Sequence, residues 1–287
     1  MTVAAAPIAR LSRRNGLWHF LRRNPTLVGG VVVLVLVALA ALAAPLIAGD
    51  PIAAKPMNRL KPPSSFNWLG TDQLGRDVWA RTVYGARISL VVGVAVASIA
   101  MAIGLMIGLL AGFSRTVESV VMRLLDGLMA IPAILLAIAF VSLSRASVPV
   151  VVAAIVLPEI PRVVRRAVVL SVREQPFVEA AVASGTRLPK ILRRHILPAT
   201  VPPLIVQATY VAASAILIEA ALSFLGAGTP PEIPTWGNMI ASSRVYLGLA
   251  PWTIFGPGLA LALVVLAVNL VGDGLRDRLD PRIARRM

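Results

Sequence analysis

The stretch EAAVASGTRLPKILRRHILP, Glu179 to Pro198, lies between two long apolar runs, yet five of its twenty residues are charged. Just upstream, Pro176 fits the first turn of a short helix, where its missing N–H costs nothing. Phe177, Ala180, Ala181 and Ser184 are spaced to share one face of that helix. Gly185 suits the left-handed residue that ends it. Thr186 can then cap a second short helix that tolerates Pro189 in its first turn. That helix presents Ile191, Leu192 and Ile196 on one side and Lys190, Arg193 and Arg194 elsewhere. Two readings fit such a hinged pair. It is either an amphipathic element resting on anionic headgroups, or a docking element whose alanine face admits a partner and whose Glu179 offers a charge.

The composition sets the surroundings. Of 287 residues, 57% are apolar and 14% charged, and the mean hydropathy is +0.82. Soluble domains carry about 25% charged residues. There are 28 lysines and arginines against 13 acids. The excess lies between apolar segments, and no aromatic stacking platform accompanies it, so nucleic acid is a poor explanation. The sequence has no cysteine and two distant histidines, His19 and His195. Disulfides, thiolate chemistry and Cys-ligated metals are excluded, and a histidine-based metal or triad site is not supported.

A membrane span needs roughly 20 apolar residues. Six candidates emerge, at Leu27–Ala48, Ile88–Phe113, Val120–Val141, Val148–Val164, Pro203–Leu225 and Phe255–Val271. The fourth is interrupted by Pro158, Glu159 and Pro161. Assigning 1–26, 114–126, 161–198 and 273–287 to the cytoplasm gives those segments 20 of the 28 basic residues and seven of the 13 acids. That asymmetry predicts both termini inside, with 49–87 and 226–250 outside. The expected fold is therefore an all-α polytopic membrane protein.

Within the second span, Ala100, Gly104, Gly108 and Gly112 recur at every fourth position, a spacing for close helix packing inside the chain or against another subunit. Outside, Asp72, Arg76, Asp77 and Arg81 predict a salt-bridged scaffold or a contact for a substrate-binding protein or peptide termini. Trp236 and Trp252 are expected at the membrane interface. Ionisable residues inside spans are costly, about 2.5–3.5 kcal/mol on insertion scales, and should face a cavity or partner. Glu219 is the clearest, either on a pathway or bonded to a partner subunit. Asp126 and Glu159 have Arg123 and Arg162 nearby to neutralise them. Gln207 is the second pathway candidate, although a helix-to-helix hydrogen bond suffices to explain it and Asn269.

Glu179-Ala180-Ala181, Gly185 four positions later and Ile196-Leu197-Pro198 together resemble the EAA loop of ABC importer permeases, E-A-A-x3-G-x9-I-x-L-P. His195 stands at the first aliphatic position of that pattern. NWLGTDQLGRDVWARTVYGARISL (67–90), ALSFLGAGTPPEIPTWGNMI (221–240) and GDGLRDRLDPR (272–282) resemble the C-type subunit of the dipeptide/oligopeptide/nickel branch. The resemblance runs from about Asn15 to Arg282. It implies a type I permease fold of six transmembrane helices and an inner-membrane subunit importing short peptides, with nickel or glutathione-like compounds as the alternative cargo. It implies ATPase coupling through Glu179, Ala180, Ala181, Gly185, Leu197 and Pro198. The implied partners are a homologous permease, two cytoplasmic ATPase domains, an extracytoplasmic binding protein, the peptide and membrane lipid.

No GxxxxGK[ST] phosphate loop occurs in the sequence, so ATP is expected on partner subunits and no cofactor on this chain. A stand-alone secondary transporter should carry its own coupling-ion site, and no convincing one is visible. A membrane enzyme would need convergent catalytic groups that are also not visible. The expected organisation is a cytoplasmic segment 1–26, a first transmembrane helix with an extracytoplasmic segment over 27–86, a permease core over 87–275 and a cytoplasmic tail over 276–287. The core is expected to hold five transmembrane helices and the coupling loop 162–198.

Overall fold

A computed structural model of the protein describes residues 24–111, 115–144, 146–166, 172 and 175–279. The basic N-terminal residues up to 23, Gly112 and the tail from residue 280 lie outside the described residues. Among those described, the architecture is helical, apart from an isolated pairing of extended backbone between Thr71 and Asp77. In chain order the helices are α1 (Pro25–Leu42), α2 (Ala44–Ile47), α3 (Val78–Ala111), α4 (Arg115–Met129), α5 (Ala133–Ser142) and α6 (Val148–Arg166). They continue with α7 (Pro176–Ala183), α8 (Leu188–Ile191), α9 (Leu197–Phe224), α10 (Trp236–Ser243) and α11 (Trp252–Leu279).

Helix α3 is the hub, with α6, α9 and α1 packed on it and α11 bridging α1 and α9. Val92, Val96, Ala100, Val151, Ile155 and Leu222 form the larger core cluster, while Ala86, Ile216, Trp236, Val264 and Val268 form a second. Of the small-residue series in α3, Ala100, Gly104 and Gly108 are all buried. A Cβ on Gly104 would collide with the Val163 side chain, so at this position the series serves packing of α3 on α6 within the chain.

Four helices are long and apolar enough to cross a membrane: α1, α3, the continuous helix Pro189–Phe224, and α11. The pair α4–α5 makes a fifth if counted as one span. The expected six spans are therefore not reproduced by length and composition. The anticipated third span, Val120–Val141, is bent by 83° at its break. Pro132 lacks an N–H and disfavours helical backbone at Ile131, so the first segment ends as the Ala130 N–H reaches the Asp126 carbonyl, 3.1 Å away. The anticipated fourth, Val148–Val164, is indeed helical, within an α6 that carries Glu159, Arg162 and Arg165 and is too charged to count by composition.

Helix α3 begins ten residues before the apolar run predicted. Asp77 starts it by accepting the Trp79 N–H at 2.9 Å. Its 34 residues make about 51 Å of helix against a hydrocarbon core of about 30 Å, so the added turns extend beyond the core.

These turns meet the buried Asp72–Arg76–Arg81 cluster. The Asp72 carboxylate accepts the Arg76 side chain at 2.6 Å and the backbone N–H groups of Leu74 and Arg76 at 2.8 and 2.9 Å. Arg81 reaches Asp72 at 4.0 Å and donates to the carbonyls of Pro51 and Pro231 at 3.1 and 3.5 Å. One guanidinium thus ties three distant segments together, which accords with the scaffold reading.

The expectation of Trp236 at a lipid interface is corrected. Its ring is buried against Gly85, where an added Cβ would lie 3.2 Å from it, and its indole N–H donates to the Thr82 carbonyl at 3.0 Å. Trp252 is half-buried, and its N–H approaches the Thr71 carbonyl at 3.4 Å. A tryptophan beside a proline-rich loop reads as an interfacial anchor until the helix it packs on is known.

Candidate functional site

The segment Pro176–Pro198 folds as two short helices joined at Gly185. Pro176 is in the first turn of α7, as its fixed φ and missing donor favour. At the other end the Gly185 N–H donates to the Val182 carbonyl at 2.9 Å and the Thr186 N–H to Ala181 at 3.1 Å. Gly185 has φ +71°, and this pair of bonds is a complete Schellman ending. A Cβ there would touch nothing within 4 Å, so the glycine answers a backbone requirement, and the space around it is open.

The face predicted for α7 is divided. Val178 and Ala181 are buried, while Phe177, Glu179, Ala180 and Ser184 are exposed, together with Val182. The expected cap also moves by one residue. The Ile191 N–H bonds the Arg187 carbonyl at 3.2 Å, so Arg187 rather than Thr186 opens α8. Ile191 and Ile196 are buried and Leu192 is partly buried, as the one-sided apolar pattern predicts.

Leu192–Ile196 is a π turn, and the Leu197 N–H reaches back to the Leu192 carbonyl. Pro198 explains the widening, because it cannot donate to the Arg194 carbonyl four residues earlier. His195 lies in this turn, and its Nδ1 is buried without a partner among the described residues. Leu197 is half-buried and Pro198 exposed at the entrance to α9.

Further along α9, Gln207, Tyr210, Val211 and Ser214 face Glu159 and Arg162 of α6 and Met129 of α4 around a cavity of about 620 Å³. The Glu159 carboxylate is buried and accepts Arg162 Nη1 at 2.6 Å and the Ser214 hydroxyl at 3.2 Å. The Glu159–Arg162 pairing agrees with their three-residue spacing. The Tyr210 hydroxyl donates to Asp273 of α11. Neither Ser214 nor Tyr210 was singled out in the sequence, where a serine among alanines reads as packing. Its partner Glu159 is 55 residues away.

Glu219 does not line this cavity. It is fully buried inside the chain, one oxygen accepting the Ser223 hydroxyl at 2.9 Å, with the Thr235 hydroxyl beside it. Gly237 lets α10 approach this turn closely, since a Cβ there would lie 2.6 Å from the Ala220 Cα. The two pathway candidates are thus separated: Gln207 lines the polar cavity, and Glu219 sits beneath α10. A second, apolar groove of about 570 Å³ runs between α3 and α9, lined among others by Val94, Met101, Leu204 and Ile205.

Comparison with known proteins covers nearly the whole chain. Residues 100–285 match the family described as binding-protein-dependent transport system inner membrane component, and residues 12–63 match the N-terminal TM domain of oligopeptide transport permease C. The chain is 58% identical over 267 residues to a probable peptide ABC transporter permease protein of Sinorhizobium fredii, covering 92% of each. It is 42% identical to a dipeptide transport system permease protein of Alkalihalophilus pseudofirmus, covering 92% of this chain and 88% of that one. A glutathione transport system permease protein of Pectobacterium atrosepticum is 40% identical, with 98% and 96% covered. Among solved structures, the inward-facing MetNI methionine ABC transporter superposes with a TM-score of 0.58 at 20% identity, over 72% of this chain and 95% of the matched chain. That likeness concerns the fold.

Proposed function

Because this chain belongs to the binding-protein-dependent transport system inner membrane component family, we propose that it is the permease subunit of an ATP-driven importer of short peptides. It is a multi-pass inner-membrane protein. Its relatives named for peptides, dipeptides and glutathione share one chemistry, since glutathione is itself a short peptide. A glutathione-like cargo is the second reading, favoured by the last of these relatives.

In the proposed assembly the chain pairs with a homologous permease and stands on two cytoplasmic ATPase domains. An extracytoplasmic binding protein delivers the peptide. ATP is bound by the partners, and both termini of this chain are cytoplasmic. The observation that carries the coupling role is the α7–Gly185–α8 element. Its Phe177, Glu179, Ala180 and Val182 are exposed, while Val178, Ala181, Ile191 and Ile196 fix it to the core. Leu197 and Pro198 join it to α9 without a break in helical backbone. A nucleotide can move such an element only through unequal affinity for two arrangements of the assembly.

Uptake of labelled dipeptides into cells lacking the permease genes, with and without this chain and its partners restored, tests the reading. Restored, ATP-dependent accumulation is expected. Accumulation of nickel or of no peptide at all overturns the proposed cargo.

A further inference from the structure

We infer that the polar cavity between α6 and α9 is a substrate subsite in which Arg162 binds the terminal carboxylate of the peptide. The inference rests on the peptide-import reading and names the group that recognises the cargo inside the membrane protein.

The cavity is bounded by Met129, Glu159, Arg162, Gln207, Tyr210 and Ser214. Its volume of about 620 Å³ falls in the ~300–1,000 Å³ range of small-ligand sites. Two ionisable side chains, Glu159 and Arg162, meet at it, toward the expected cytoplasmic end of α6. The two acting here are unequal. The Glu159 side chain is 2% exposed and already engaged by Arg162 and Ser214. The Arg162 side chain is 43% exposed on the cavity wall, and its bond to Glu159 uses Nη1.

A guanidinium carries five N–H groups in a planar fork, so one edge can hold a carboxylate while another stays on Glu159. Glu159 and Ser214 therefore act as positioning residues, aiming the fork.

The ion pair with Glu159 occupies one edge of the fork and leaves the rest on the cavity wall. The carboxylate is chosen over a lipid phosphate because the guanidinium faces a lined cavity shared with Gln207, Tyr210 and Ser214. The opposite apolar groove offers no such charge.

The test uses the purified permease–ATPase complex without its binding protein. Tritiated L-Ala-L-Ala is bound and competed with unlabelled L-Ala-L-Ala or its C-terminal amide. The free acid should compete at least about tenfold better than the amide. Arg162→Gln leaves Glu159 buried without its partner and risks misfolding, so the primary variant is Glu159→Gln/Arg162→Gln, which removes both charges together. It should co-purify with the ATPases yet bind the dipeptide at least about tenfold more weakly, and Arg162→Lys should fall between.

Equal competition by acid and amide, unchanged affinity in the double variant, or no dipeptide binding to the wild-type complex overturns the subsite. Displacement of the dipeptide by phosphatidylglycerol also overturns it, assigning Arg162 to lipid. Cellular uptake separates the two levels of failure. Uptake of Ala-Ala without these binding differences refutes the subsite alone, whereas no uptake of any peptide refutes the import reading as well.

Discussion

The Trp236 indole N–H donates to the Thr82 carbonyl over 3.0 Å, joining residues 154 apart in sequence. The bond fastens α10 to the first turns of α3, with Gly85 giving the ring its space. Lipid supplies little hydrophobic drive between helices, so close packing and hydrogen bonds must hold them.

Trp236→Phe should lose the hydrogen bond, about 0.5–1.5 kcal/mol. Trp236→Ala should lose the packing too, about 3–5 kcal/mol. Thermal unfolding of the purified permease complex should therefore rank wild type above Phe and Phe above Ala. Equal midpoints for the three would show that this contact does not stabilise the bundle.

Arg81→Lys keeps the charge but loses the planar fork that reaches Pro51 and Pro231. Asp72 retains Arg76, so the loss should be limited to about 1–3 kcal/mol. Limited proteolysis should cut the 52–66 segment sooner than in wild type. An unchanged cleavage rate contradicts the stapling role.

Gly185 distinguishes docking from folding. Its φ of +71° strains any side chain by roughly 1–2 kcal/mol, but the surrounding space is open. Gly185→Ala should leave most ATP-driven uptake, while Gly185→Trp should uncouple or release the ATPases without preventing insertion. Full uptake with Trp at this position removes the docking interpretation.

Glu219→Gln preserves shape and hydrogen-bonding capacity beside Ser223 while removing the expense of a buried charge. Stability should change by less than about 1 kcal/mol, and peptide uptake should persist. A tenfold loss of uptake with an unchanged thermal midpoint would place this carboxyl on the translocation path.

Much of this was legible from local chemistry. Gly185 announced its left-handed turn through the small residues before it and the basic run after it. Glu159 and Arg162 announced their pairing by spacing alone. Non-local contacts were not legible. Nothing near Trp236 indicates that Gly85 leaves room for its ring, and nothing near Ser214 indicates Glu159. The break at Pro132 was not legible, because hydropathy averages across a bend that backbone sterics impose. In α6 the charges at Glu159, Arg162 and Arg165 make the span less apolar than its neighbours.

The long helix from Pro189 to Phe224 has a mechanical consequence. Its 36 residues extend about 54 Å, with the π turn at Leu192–Ile196 and Pro202 and Pro203 inside it as points of give. A tilt of about 5° about its midpoint carries each end about 2 Å, in opposite senses. One end is the π turn beside His195; the other is the Ser223 turn under α10. A shift at one end then reaches the other through a single helix, less what the π turn and the two prolines absorb.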